Sequence, residues 1–310
     1  MKLKRAPAVA ASAVLLGGLA TAATGPANAA STAATASTVA TAACTVAPAG
    51  ITSGGDIDAT TVTATSPPSA KRTAGPHLFT PGIAKAASTW TTALEVPAGS
   101  TTTGLVVLND TLYSAFYSDL SGGPSSGLKK IGSGWGSFTV VEESFWQKAP
   151  GSTVTARARY GLDGAPGFLH RWVPDSKGVW HGEIATGFSA VKTMALISET
   201  QTYDTFLANA RGGALYTIRI PRTSPLKPIV KKVRTSTWQG FESLVAEKCG
   251  TQSTLLTAID KDTGSAYLYA VGHANGTATV IRGLGKVPGT FKDPVYSLNT
   301  AEGQPPLYGE

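Results

Sequence analysis

The chain is poor in the residues from which metal centres and nucleophilic active sites are built. It has 310 residues but only two cysteines, Cys44 and Cys249, and four histidines. Neither cysteine has a second cysteine or a histidine nearby at metal-ligand spacing, which argues against a zinc site. The sequence also contains no G-x-S-x-G elbow, no His-metal motif and no phosphate-binding loop. We therefore predict no catalytic residues, no metal and no cofactor.

Long apolar runs are scarce as well. One run, AVAASAVLLGGLA, follows Lys2, Lys4 and Arg5 and precedes the small residues Ala27-Asn28-Ala29. This order is typical of a secretory signal peptide, so residues 1–29 are predicted to be removed and the mature protein to be extracellular. The run is short and rich in Gly and Ala, which favours a cleaved signal over a membrane anchor. No other segment is apolar enough to span a bilayer.

Charge is limited, at 15% of residues, with 26 basic and 19 acidic side chains. Without the three basic residues of the predicted signal, 23 basic residues face 19 acidic ones. The basic residues are scattered except for Lys231, Lys232 and Arg234, which a solvated strand edge explains better than nucleic-acid binding. We predict no nucleic-acid partner.

Residues 30–75 consist mostly of Ala, Thr, Ser, Gly and Pro. So few large apolar side chains cannot offset the entropy of ordering, and this stretch is predicted to be a flexible leader. Cys44 lies inside it. A secreted chain with two cysteines most simply forms one disulfide, so we predict a Cys44–Cys249 bridge. Two free or intermolecular thiols are the alternative.

A repeat is the strongest signal in the remaining chain. Five times an aliphatic residue leads to a large aromatic one: Ile83 to Trp90, Ile131 to Trp135, Ile184 to Phe188, Val233 to Trp238 and Ile281 to Phe291. The leading residues are 48, 53, 49 and 48 positions apart. Each unit reads as short strands separated by Gly, Asn and Asp turns, which is typical of a β-propeller blade. We predict that residues 76–310 form a five-bladed β-propeller of four-stranded antiparallel blades.

A propeller must close its ring, and the two ends of the domain suggest how. The unit that begins at His77 has no innermost strand, whereas the chain ends on PPLYGE with nothing after it. We expect Leu307-Tyr308 to complete the sheet that begins at His77 and so remove an exposed edge. With the strands assigned to blades in this way, the runs that end near Glu95, Glu142, Glu199 and Glu247 are the outermost strands.

The phrase Ile131-Gly132-Ser133-Gly134-Trp135, followed by Phe138, resembles the repeat of the tachylectin-2-like propellers. Ala214-Leu215-Tyr216 and the run 267–271 are similar to a second phrase of that family. The resemblance implies a five-bladed lectin that binds N-acetylated hexosamines at similar sites, one in each blade. It is close only in the copy at 131–138.

The candidate ligand-binding residues follow from the repeat. Aromatic rings offer flat surfaces on which sugars stack, and glycines let backbone amides approach a ligand. Carboxylates at strand ends accept hydrogen bonds from sugar hydroxyls. The candidates are Trp90, Trp135, Phe188, Trp238, Gly132, Gly134, Glu95, Glu142, Glu199 and Glu247. The alternative is that the rings belong to the core between blades and that the glutamates are solvated strand ends.

We therefore expect a secreted, monomeric, non-catalytic propeller that gains avidity from several weak glycan sites. A glycoside hydrolase of the five-bladed type is the first alternative. It needs two carboxylates near the central channel, for which Asp204 and then Asp260 are the candidates. A protein-binding scaffold is the second alternative.

Overall fold

The computed structural model describes residues 43–164 and 166–310. The predicted signal peptide, residues 1–29, and the first part of the predicted leader, residues 30–42, lie outside the described residues. The described chain is all-β. Its strands are β1 (Thr45–Val46), β2 (Pro48–Ile51), β3 (Asp56–Thr63), β4 (Ser69–His77), β5 (Ala84–Ala87), β6 (Trp90–Glu95), β7 (Gly99–Leu108), β8 (Thr111–Leu120), β9 (Gly123–Ser133), β10 (Phe138–Gln147), β11 (Thr155–Asp163), β12 (Phe168–Pro174), β13 (Trp180–Ala185), β14 (Val191–Glu199), β15 (Tyr203–Ala210), β16 (Leu215–Pro221), β17 (Ile229–Arg234), β18 (Ser243–Cys249), β19 (Ser253–Asp260), β20 (Ser265–Val271), β21 (Ile281–Val287) and β22 (Val295–Ala301). A 3₁₀ turn at Gly276–Ala278 separates β20 from β21.

Three sheets are simple four-stranded antiparallel meanders, made of β10–β13, β14–β17 and β18–β21. Tight turns connect their strands. Between β19 and β20, Thr263 donates its backbone N–H to Asp260 Oδ1 at 2.9 Å, and Gly264 takes a φ of +71°. The second strand of each meander is buried along most of its length, whereas the fourth is largely exposed. Burial therefore falls from the second strand towards the outer edge of each sheet.

The remaining ten strands form one sheet that consists of two four-stranded groups. In the first group, β22 pairs with β2, β1 and β2 form an interrupted strand opposite β3, and β4 pairs with β3. In the second, β5 and β6 form an interrupted strand opposite β7, followed by β8 and β9. The groups join where β22 runs parallel to β6. Each group therefore repeats the order of the meanders.

The first strands of these groups meet at the centre of the molecule. β5 contacts β10, β10 contacts β14, β14 contacts β18, β18 contacts β22, and β22 contacts β5. They line a channel of about 1340 Å³. Four-stranded antiparallel sheets arranged in this way belong to the β-propeller class.

The predicted order of strands within each blade, from the channel outwards, is wrong by one strand. The runs that carry Glu142, Glu199 and Glu247 were predicted as outermost strands, but they are β10, β14 and β18, which line the channel. The predicted inner strands, such as TARARYGL and YDTFLANA, are second strands. The physical reason is that a second strand, covered on both faces by neighbouring sheets, is the most buried strand of its blade and was therefore taken as the innermost one.

The prediction of a flexible leader is wrong for residues 45–75. This stretch forms β1, β2, β3 and most of β4. A few of its apolar residues are nearly or fully buried, Ile51 and Ile57 against the same ten-stranded sheet and Val46 and Val62 against the sheet of β18–β21. Threonine-rich composition hid these strands, although β-branched threonine suits a half-buried strand.

The predicted role of Leu307 and Tyr308 is also wrong. These residues do not complete the sheet that contains His77. Tyr308 forms an isolated bridge with Ser198 of β14, and Leu307 O accepts the N–H of Glu199 at 2.9 Å. The sheet that ends at His77 instead takes β22 as its first strand. The prediction misplaced the partner because it took no account of the strands before His77.

The predicted disulfide is confirmed. Cys44 and Cys249 are bonded, with their Cα atoms 5.6 Å apart and 205 positions between them in the sequence. The bridge joins the chain just before β1 to the last residue of β18, on the neighbouring sheet. Apolar clusters fill the spaces between sheets as well, and one of them brings Val46 and Val62 together with Val245 and Leu255. In the described part of the chain, no helix is long and apolar enough to cross a membrane.

Candidate functional site

The repeated aromatic residue has the same backbone role in all five units. Its N–H donates to a carbonyl in the turn between the second and third strands of the preceding group, at 3.0 or 3.1 Å. The donor and acceptor pairs are Phe79 with Gly55, Trp135 with Asp110, Phe188 with Gly167, Trp238 with Gly213 and Phe291 with Gly264. The glycine acceptors all have positive φ. The first copy of the repeat is therefore at Phe79, 56 positions before Trp135, and not at Trp90.

The predicted aromatic candidates lie in the core. Trp90 is 1% exposed, and Trp135, Phe188 and Trp238 are buried. Trp135 packs against Phe138 and Trp172, with ring centroids 4.4 and 4.9 Å away. Rings enclosed in this way fill the space between neighbouring sheets and have no free face on which a sugar could stack. This placement favours the structural alternative for all four residues.

Of the two glycine candidates, one lies in a turn and the other in a strand. Gly134 donates its N–H to Asp110 Oδ2 at 3.0 Å, and Gly136 donates to the other oxygen at 2.9 Å. Hydrogen bonds from Gly136 and Gly134 lower the pKa of Asp110. Gly132 lies in β9, opposite Leu112. The Gly134 amide, predicted to contact a ligand, therefore stabilises the turn that precedes β10, and Gly132 is part of the ladder of β9.

The predicted glutamates separate into two sets. Glu95, at the end of β6, is exposed and accepts a hydrogen bond from Thr101 at 2.7 Å. Glu142, Glu199 and Glu247 line the central channel on β10, β14 and β18. The structure thus brings three of the four together along one wall and leaves Glu95 apart.

Glu142 and Glu199 each link one first strand to the preceding one. Glu142 accepts the N–H and the hydroxyl of Thr89 at 2.9 and 3.0 Å, in the gap between β5 and β6. Glu199 accepts the N–H of Phe145, on β10, at 3.0 Å. Burial raises the pKa of Glu142 to about 7 and that of Glu199 to about 8. Burial also raises the pKa of Glu247, which accepts from the N–H of Lys248.

Asp204, the leading candidate for a hydrolase carboxylate, is 0% exposed. Its Oδ2 accepts from Tyr160 at 2.5 Å and from Ser144 at 2.8 Å, and its Oδ1 pairs with Arg222 at 2.7 Å. No surface of this side chain is left for a substrate. Asp260, the second candidate, caps the turn before β20 through Thr263.

A pocket that the sequence did not reveal lies beside the last residues of the chain. It has a volume of about 510 Å³. Its wall brings together aromatic and hydrogen-bonding side chains from five segments: Tyr203, Arg219, Thr251, Gln252, His273, Tyr308 and Glu310. Residues 302–310, which we call the C-terminal tail, leave β22, pass along the channel and contribute Tyr308 and Glu310 to this wall.

Backbone hydrogen bonds hold the tail between two sheets. Gly309 donates to Ile197 O at 2.8 Å and accepts from the N–H of Ala274 at 2.6 Å. Lys248 donates to Pro306 O at 3.3 Å and lies 5.5 Å from the ring centre of Tyr308. These bonds leave the Tyr308 ring 39% exposed, at the edge of the pocket.

Arg219 is held in place on one side of the pocket. Its guanidinium lies over the ring of Tyr203, 4.3 Å from the centroid, and its Nε donates to Glu310 Oε2 at 3.1 Å. Thr205 donates to the same carboxylate oxygen at 2.5 Å. The Glu310 side chain is 3% exposed, and its other oxygen is buried with no hydrogen-bond partner among the described residues.

Sequence reasoning missed this pocket because its members share no motif. Tyr203 and Arg219 are ordinary strand-end residues, and His273 reads as an exposed strand residue. The tail itself was noticed, but as a ring-closing strand. Only the passage of the tail beside β14 brings these residues together. Among the residues that the structure describes, no group of three or more His, Cys, Asp or Glu side chains is placed to hold a metal ion.

Comparisons with known proteins add little. No protein-family model matches the chain, and no curated protein matches it. Among solved structures, the chain is similar to the WD40 domain of SCAP from fission yeast, at 9% identity and a TM-score of 0.33, over 78% of this chain and 70% of that one. A likeness this distant carries no functional inference.

Proposed function

We propose that the chain is a five-bladed β-propeller closed by β22, and that it binds carbohydrate without catalysis. Two observations support the blade count. The repeated aromatic residue makes the same backbone hydrogen bond five times, and five first strands contact one another in a ring, namely β5, β10, β14, β18 and β22. Pairing of β22 with β2 supports closure by hydrogen bonds between the two ends of the domain. The Cys44–Cys249 bridge is in keeping with an oxidising compartment, so we retain secretion as part of the proposal.

The side-chain set of the tail pocket carries the functional proposal. Two tyrosines, an arginine, a glutamine, a threonine and a histidine converge on an open cavity of about 510 Å³. Saccharides are recognised by such sets, because ring faces stack on aromatic residues while hydroxyls exchange hydrogen bonds with polar groups. One pocket of this kind replaces the several repeat-based sites that the sequence suggested.

A glycan array probed with the mature protein tests this proposal, followed by titration calorimetry on the saccharides that bind. Tyr308→Ala should weaken binding at least tenfold, because it removes the exposed ring from the pocket. Trp135→Phe, far from the pocket, serves as the matched aromatic control and should leave affinity unchanged. Binding that is lost with Trp135→Phe but kept with Tyr308→Ala would move the site back to the repeat. No binding to any glycan would leave the scaffold alternative.

A glycoside hydrolase is the second candidate, and one observation favours it. Glu142 and Glu199 line the channel with raised pKa values, and a general acid needs a carboxyl that holds its proton near neutral pH. Both nevertheless accept hydrogen bonds from a neighbouring strand, which gives them a structural role without chemistry. Release of reducing sugar from polysaccharide, abolished by Glu199→Gln in a protein that remains folded, would favour the hydrolase over the binding module.

A further inference from the structure

We propose that the tail pocket selects an acidic saccharide, a sugar ring that bears a carboxylate, and that Arg219 is the residue that reads this charge. The inference rests on the proposed carbohydrate-binding function and narrows its ligand class. It depends on three features of the pocket: a partly free guanidinium, the burial of both carboxylates of Glu310 in the described wall, and a ring surface at a suitable place.

The guanidinium of Arg219 is held in a fixed orientation, but not all of its N–H groups have hydrogen-bond partners in the described chain. Within the described residues its Nε is the only one of its nitrogens with a hydrogen bond, and 32% of the side chain is exposed. Stacking on Tyr203 and the bond to Glu310 fix its plane. A guanidinium fixed in this way presents its terminal N–H groups as a fork, the geometry that binds a carboxylate through two parallel hydrogen bonds.

The exposed charges of the pocket favour an anion. Glu310 is the one acidic residue in its described wall and is 6% exposed; its terminal carboxylate accepts from the Tyr203 hydroxyl at 3.2 Å, and its side chain is a second carboxylate. That side chain is almost fully enclosed, and Thr205 and Arg219 bind the same one of its oxygens. A ligand carboxylate would therefore approach a partly exposed cation without facing an exposed anion. Lys248, near Tyr308, adds a second positive charge close to the opening.

The remaining wall fits the rest of a sugar. The exposed ring of Tyr308 gives a stacking surface, while Thr251, Gln252 and His273 are exposed and carry donors and acceptors for hydroxyl groups. An inorganic anion would use Arg219 but none of these groups. The combination therefore points to a ring with hydroxyls and one carboxylate.

Methyl β-D-glucuronide and methyl β-D-glucoside provide a matched pair of probes, because they differ only at the carboxylate. We expect the full-length mature protein to bind the glucuronide at least tenfold more tightly in titration calorimetry. Arg219→Gln should abolish the preference, so that the two probes bind with about equal affinity, because the variant loses the fork that binds the carboxylate. Arg219→Lys, which keeps the charge but loses the fork, should show an intermediate preference. Unchanged melting temperatures identify variants that remain folded.

The Glu310→Gln variant distinguishes a role of the Arg219–Glu310 ion pair in ligand binding from a purely structural role. This change removes the charge that competes for Arg219, so glucuronide affinity should rise about threefold, whereas loss of a purely structural ion pair would weaken binding of both probes. Equal affinity for the two probes would overturn the acidic-sugar inference and leave carbohydrate binding intact. If neither probe binds and the array is also negative, both proposals fail. Binding of sodium acetate as tight as that of the glucuronide would also overturn the inference, since it would indicate a simple anion site.

Discussion

The last strand and the C-terminal tail are adjacent in sequence but held in very different ways. β22 pairs with β2 over four residues and runs beside β6, so it is bonded on both edges. The tail forms no continuous ladder: two backbone bonds join it to β14, one joins it to β6 and one to the loop after β20, and side-chain bonds hold Pro306 and Glu310. One segment is part of a continuous sheet, and the other lies between two sheets.

This difference separates architecture from function. A segment inside a sheet loses its whole ladder of hydrogen bonds if it leaves, so its docking is coupled to global folding. A segment held by separate bonds to several elements, without a ladder, can detach while the sheets remain. We therefore expect changes to β22 to unfold the protein and changes to the tail to affect mainly the pocket.

The largest expected effect is that of ending the chain at Pro294, which removes both segments. The sheet that contains β2 would lose its first strand, and β6 and β18 would lose a neighbour. We expect no cooperative unfolding transition by calorimetry, because the loss exceeds the about 5–15 kcal/mol by which domains are stable. Ending the chain at Gly303 is the matched control and should retain a transition. A truncation at 294 that unfolds like the full chain would contradict closure by β22.

The second effect concerns the disulfide, which joins the chain just before β1 to β18 on the neighbouring sheet. Replacing both cysteines, Cys44→Ser with Cys249→Ser, should lower the free energy of unfolding by about 2–5 kcal/mol, since the bridge restricts the unfolded chain over a long loop. Denaturant titration measures the loss. A reductant should destabilise the natural chain by a similar amount and leave the double variant unchanged. A loss below about 1 kcal/mol would show that β1 is held mainly by packing.

The sequence allowed the fold class to be predicted but not the positions of its strands. The repeated aromatic residue has a large side chain and contacts a glycine turn, and both features can be recognised in the sequence because they recur at a regular spacing. The predicted disulfide is also confirmed. Strand phase was lost because burial depends on what covers each face, and second strands such as β15 are covered on both. The strands before His77 were missed because threonine and alanine give little hydrophobic signal. The tail pocket was beyond reach because tertiary contact alone unites Tyr203, Arg219 and Tyr308.

The third effect is a pH dependence that arises where the tail meets β14. Glu199 has a pKa of about 8 in the folded chain, against an ordinary value of 4.5. The folded state therefore binds the proton more tightly, and this stabilisation is complete below about pH 4.5 and lost as pH rises through 8. We expect the free energy of unfolding to fall between pH 5 and 9.

Glu199→Gln tests the origin of that fall. The variant should reduce it by about 1–2 kcal/mol, less than the full shift implies because Glu199 faces a channel that admits water. Glu95→Gln, at an exposed glutamate, is the control and should leave the pH profile unchanged. A profile that rises with pH in the natural chain would mean that Glu199 is ionised throughout.

We expect Gly309→Ala to have the smallest effect on stability. It also distinguishes most clearly between β22 and the C-terminal tail. A Cβ at this position would lie 2.5 Å from Thr254 Oγ1 and 2.8 Å from Ile197 O, and the backbone of β14 cannot easily withdraw. The end of the tail should detach, at a cost of about 1 kcal/mol and a fall in melting temperature of roughly 2–4 °C. Hydrogen exchange should quicken at the N–H groups of Glu199 and Ala274, which the tail carbonyls now accept. Gly122→Ala, where a Cβ meets open space, should change neither measurement. If Gly309→Ala were instead as costly as losing the disulfide, the tail would belong to the architecture, because detachment would then be coupled to the opening of β14 and the sheets around it.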